Sequence, residues 1–105
     1  MAQSVLNVLQ KARERISKPE HWTKHAFARN AFGSEVGSSD EQAVCWCSMG
    51  ALYREGYEYF NNGSAVRLLE EYAGEDIALF NDSHTHEEVL AVFDKAIASA
   101  KTRRF

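Results

Sequence analysis

Apolar positions recur with helical spacing in three stretches of this chain and lose it between Thr23 and Ser39. Val5, Leu6, Val8, Leu9, Ala12 and Ile16 form one stripe behind Ser4, a residue type that caps helix N-termini. This predicts a first helix ending near Ser17. Pro19 forbids its continuation, and Ser17 with Glu20 three residues on has the pattern of a capping box, so a short second turn is expected through Trp22. A second stripe of Ala65, Val66, Leu68, Leu69 and Tyr72 lies between Ser64 and Gly74. The third, Val89, Leu90, Val92, Phe93, Ala96, Ile97 and Ala100, follows another capping pair, Thr85 and Glu88. Before it, Asp76 to Phe80 reads as a short helical turn broken at Asn81 and Asp82.

The stretch from Thr23 to Ser39, with two glycines, an asparagine and several serines, reads as an extended piece at Phe27 to Arg29, a turn at Asn30 to Gly33 and a return to Ser39. After it comes the most apolar run of the chain, Ala43 to Tyr53, in which only Ser48 is frankly polar. Ser39 and Gln42 match a capping box, with Asp40 and Glu41 in the first turn where the helix dipole favours acids. A central helix over about 40–55 is therefore expected, ended by Gly56, with Tyr57 to Gly63 as a connection. Being apolar nearly all round, it should be buried. Gly50 and Ala51 would let one neighbour approach closely. The expected fold is all-α: about four main helices packed around this central helix, with a small β-hairpin near 25–37.

At 105 residues, 45% hydrophobic and 26% charged, the chain suits one helical domain, 1–105, and not a disordered one. Ala2 to Lys18 mixes apolar and charged residues, so neither a signal peptide nor a membrane span is expected, and a cytoplasmic location follows. Two cysteines one residue apart cannot staple a fold and suit a reducing compartment. The net charge of −3 hides a basic start, an acidic middle and a basic end. Lys11, Arg15, Lys18, Arg103 and Arg104 would make a positive patch if the termini meet, although surface charges usually do no more than solvate a helix.

Chemistry concentrates at the thiols. On a helix from Ser39, Cys45 and Cys47 stand about 200° apart, at roughly 100° per residue, and cannot chelate one metal or pair. If the helix starts only after Val44, Cys45 or Cys47 lies at its first turn, where a thiolate gains from the dipole. His86 falls on the inner stripe of the last helix, and Asn81 and Asp82 precede it. Cys47, His86 and Asp82 or Asn81 are thus the residue types of a thiol hydrolase, set against the plainer reading of a core histidine and a tight turn. His21 with His25 and His84 with His86 are the zinc candidates, but neither pair has a carboxylate at motif spacing, so no metal site and no cofactor are expected. No glycine-rich phosphate loop is present. Tyr53, Tyr57, Tyr59 and Phe60 lie among glutamates, which argues against a nucleic-acid stacking platform.

The ordered set HW at 21, FAR at 27–29, Gly33, AVCWCSMGAL at 43–52, IALFND at 77–82 and THEEVLAVFDKAI at 85–97 resembles a group of small bacterial and phage proteins known as a domain of unknown function. The resemblance covers about residues 12–98. It implies that Trp22, Cys47, Gly50, Asn81, Asp82 and His86 belong to one recurring pattern, and it implies no activity. Cys45 and the long polar segment 56–63 depart from that pattern. The reading reached from the sequence is a non-enzymatic domain that binds another macromolecule, with a protein as the expected partner. A thiol-dependent hydrolase or transferase using Cys47 is the first alternative, and nucleic-acid binding through the basic termini is the second.

Overall fold

The computed structural model describes residues 4–55 and 63–102. Helix α1 spans Val5–Arg15, and the Ser4 hydroxyl accepts the Asn7 N–H at 3.0 Å, as expected of that cap. A 3₁₀ turn at Pro19–His21 follows, without the side-chain cap that Ser17 and Glu20 suggest. Helix α3 is Gly63–Ala73 and α5 is His86–Thr102. Gly74 stops α3 with φ +77°, a conformation that costs glycine little. The Thr85 and Glu88 pair is reciprocal: the Glu88 carboxylate accepts the Thr85 N–H at 2.9 Å and the Thr85 hydroxyl accepts the Glu88 N–H at 3.1 Å. That bond holds the Glu88 carboxyl below its ordinary range.

The three long helices pack because their stripes coincide. α1 lies along α5, α3 lies along α5 as well, and α1 touches α3. Val8, Leu9, Ala12, Leu69, Val89, Phe93 and Ala96 are fully enclosed between them. Burying each of the larger of these side chains is worth roughly 1.5–3 kcal/mol.

The central helix differs from expectation. Helix α2 spans only Ser48–Arg54, and 40–47 is a turn followed by a strand. Two local causes are visible. The Asp40 carboxylate accepts the Gln42 N–H at 2.7 Å, closing an Asx turn where a helix was expected to start. The Val44 and Cys47 N–H groups then donate to the carbonyls of Arg29 and Phe27 at 2.9 and 3.2 Å, so the chain runs extended. The apolar run is buried as expected, but its first part is buried as a strand, which hydrophobicity alone does not distinguish from a helix.

Strands β1 (Ala28–Arg29), β2 (Glu35–Val36) and β3 (Cys45–Trp46) make a small antiparallel sheet in the order β2-β1-β3. The hairpin is the expected one: Ala28 faces Val36, and Arg29 faces Glu35. Its turn is closed by the Asn30 side-chain oxygen, which accepts the Phe32 and Ser34 N–H groups at 3.0 and 3.1 Å, and by Gly33 at φ +82°. On the other side of β1, Ala28 faces Trp46. The predominantly helical architecture thus includes a sheet one strand larger than the sequence implies.

Helix α4, Ile77–Ser83, also exceeds its expected length. The Asp76 side chain caps it by accepting the Ala78 and Leu79 N–H groups, and it continues through Asn81 and Asp82 instead of breaking there. It packs on both α2 and α3. The helix stop assigned to Gly56, the connection after it and the arginines at 103 and 104 lie outside the described residues.

Candidate functional site

Cys47 stands where β3 becomes α2. It is the N-cap residue, with φ −81° and ψ 177°, and its Sγ accepts the Gly50 N–H at 3.3 Å. The local fold is set by Gly50. A Cβ there would lie 1.8 Å from the Phe27 carbonyl oxygen, so only glycine lets α2 begin directly against β1. The expected close approach at Gly50 is present, with the backbone of Phe27, just before β1, as the neighbour.

This places the thiol at the first turn of a helix, the outcome that a start after Val44 implies. The thiol is only 6% exposed. Burial pushes its pKa up, the Gly50 and Met49 N–H groups pull the other way, and the Asp82 charge adds to the rise. Cys45 is on β3, with Sγ 3.9 Å from the Arg29 carbonyl oxygen, and both thiols are free.

Asn81, one of the candidate residues, is completely buried and acts as a hub. Its Oδ1 accepts from Trp22 Nε1 at 2.8 Å, Ser48 N at 3.0 Å and Ser48 Oγ at 2.8 Å. Its Nδ2 donates to the Thr23 carbonyl at 3.1 Å and to Asp82 Oδ1 at 3.2 Å. One amide therefore joins α4 to the start of α2 and to the segment after the 3₁₀ turn.

Asp82 clamps His25. Its Oδ1 accepts the His25 N–H at 2.9 Å, and its Oδ2 lies 3.4 Å from His25 Nδ1. His25 has φ +65°, the one positive value among the described residues other than glycine, so the clamp holds a backbone conformation that a side chain disfavours.

His86 is turned to a different part of the molecule. Its Nε2 donates to the Ile16 carbonyl at 2.6 Å, and its ring lies 5.3 Å from that of Trp22. This bond closes the end of α1. The structure therefore brings Cys47 and Asp82 to one place and leaves His86 out of it. The histidine beside them is His25, which the sequence offered only as a zinc candidate. No regularity of spacing marks it, because its position depends on a left-handed backbone and on a carboxylate 57 residues away.

Cys47, His25 and Asp82 all line an open pocket of about 750 Å³ between the hairpin and α4. Its other walls are mainly apolar, from Phe27, Val36, Met49 and Ala78, with Glu35 on β2. No hydrogen bond links the Cys47 thiol to a histidine among the described residues. Among those residues no group of three His, Cys, Asp or Glu is placed to hold a metal ion. His84 stacks on Phe80 at 3.8 Å and is not near His86 in role.

The basic N-terminal residues are partly committed to structure. Arg13 pairs with Asp94 at 2.8 Å. Arg15 bonds Glu55 at 2.6 Å and lies 4.9 Å over the Trp46 ring, with Arg54 at 5.6 Å from the same ring. No helix among the described residues is long and apolar enough to cross a membrane.

Fold and site together define a small helical domain with a three-stranded sheet and a thiol-floored pocket at their junction. The chain belongs to DUF6197, a family of unknown function, whose model matches residues 1–99. Searches of curated proteins and of solved structures return no match.

Proposed function

We propose that this protein is a binding domain for another protein and that its contact surface is the pocket between the hairpin and α4. The observation that carries this reading is the pocket itself: an open, largely apolar recess whose wall includes Phe27, a large apolar side chain of the kind that fills interfaces and 53% exposed. Exposed apolar surface around a concavity marks interaction sites more often than plain surface. Ala78 is exposed, so Ala78→Trp fills the recess from the solvent side without entering the core. A partner isolated with the native chain should lose binding to the Ala78→Trp variant while the melting temperature holds. Equal binding would remove the pocket from the interface.

A thiol-dependent hydrolase or transferase is the second reading, favoured by Cys47, His25 and Asp82 sharing one pocket. In it the thiol proton passes to the His25 ring as sulfur adds to an acyl carbon and the carbonyl π pair moves to oxygen. The pair returns to expel the leaving group, which takes that proton, and water or an acceptor then releases the acyl group from sulfur. The buried, neutral thiol weighs against it. Resistance of Cys47 to iodoacetamide in the folded protein at neutral pH would end this reading and leave the first untouched.

A further inference from the structure

We propose that the guest of this pocket is an aliphatic cation, the side chain of a lysine or arginine carried by the protein partner. The inference rests on the binding reading above and names the chemistry of what enters. The pocket has two kinds of wall. Phe27, Val36 and Met49 offer apolar surface that suits a chain of methylenes, whereas Glu35 on β2 and Asp82 on α4 add carboxylates to the lining.

Among the described residues no lysine or arginine lines the recess, and the basic side chain that does is His25, beside Asp82. The Glu35 carboxylate is exposed and makes no hydrogen bond or ion pair with the described residues, and Arg29, opposite it across the strand pair, directs its guanidinium to Thr23, Gly33 and Lys24 instead. Asp82 commits Oδ1 to two donors and keeps Oδ2 at a long 3.4 Å from His25 Nδ1, so it retains accepting capacity.

The acidic side chains in the lining are Glu35 and Asp82, so the charge a guest meets there favours a cation. A purely apolar guest would take the Glu35 carboxylate out of water with no partner, and an anionic guest would meet both carboxylates directly, each of which costs free energy. A lysine or arginine lays its stem on the apolar wall and offers its head to a lining carboxylate.

The test titrates isotopically labelled full-length chain with three capped tripeptides, acetyl-Ala-X-Ala-amide, with X arginine, its neutral isostere citrulline, or norleucine. Amide shifts at Ala26, Gly37 and Ala78 report the pocket. The arginine peptide should shift them and bind about tenfold tighter than the citrulline peptide, as a charge-assisted bond implies. Glu35→Gln should weaken the arginine peptide about threefold, a discounted figure because that carboxylate is exposed. Citrulline or norleucine binding as tightly as arginine would overturn the cationic guest and leave the pocket as a binding site. If no peptide shifts the pocket amides, both proposals fall.

Discussion

Along α1, α3 and α5 the contacts are apolar and repeated, and one buried side chain differs little in kind from the next. In the corner where the sheet meets α2 and α4, single groups carry the geometry. Asn81 alone joins three segments, Asp82 holds His25, and Gly50 allows α2 to begin on the carbonyl of Phe27. The bundle is specified by the sum of many similar contacts and the corner by a few that cannot be exchanged. A site benefits from the second arrangement, because polar groups held by several bonds keep their position without depending on packing volume.

The sharpest way to break this comparison is at Gly50. A Cβ there meets backbone, not a movable side chain, so Gly50→Ala should cost about 3 kcal/mol or more, read as a lowered urea midpoint. A loss below about 1 kcal/mol would mean that α2 can slide off β1 and that the corner is softer than its contacts imply.

Next in size is a pair of near-isosteric replacements. Asn81→Leu keeps the volume but strips the partners of Ser48, Trp22 and Thr23, and should cost about 2–4 kcal/mol. Leu9→Met in the bundle, also fully buried, should cost less than about 1.5 kcal/mol. Equal losses in chemical denaturation would erase the distinction between the two regions.

The smallest expected effect is a pH dependence from the pocket floor. Burial raises the folded-state pKa of Cys47 above that of the unfolded chain. Below the unfolded value, about 8.5, both states keep the proton and the thiol adds no slope. Above it the unfolded chain ionises first, so stability falls as pH rises through the folded value. Cys47→Ser, which keeps a capping oxygen and cannot ionise, should show a shallower alkaline loss. Parallel curves of unfolding free energy against pH for the two proteins would show the floor to be wetter than its burial implies.

The same division explains what was legible in the sequence. The stripes of α1, α3 and α5, the Ser4 and Thr85 caps and the Asn30 turn are local patterns, and each is where its residues place it. The corner depends on pairings between distant segments. The capping-box pattern at Ser39 and Gln42 lost to an Asx turn at Asp40 and to the segment Phe27 to Arg29, whose carbonyls take the Val44 and Cys47 N–H groups. Asn81 and Asp82 looked like a helix break because both residues favour turns, yet their side chains have partners across the fold and the helix passes through them. For the site, Cys47 and Asp82 were within reach of sequence reasoning. His25 was not, since nothing local announces its left-handed backbone.

Both tryptophans of the chain, Trp22 and Trp46, stand in the corner. Trp46 has two guanidinium groups against its ring, and Trp22 sits against an imidazole. Emission excited at the red edge of the protein band therefore originates in the corner, whereas the far-ultraviolet dichroism originates chiefly in the helices. The molecule thus carries a separate optical reporter for each region. Superimposed melting curves from the two signals mean that corner and bundle unfold together, and an earlier fluorescence change means that the corner opens first.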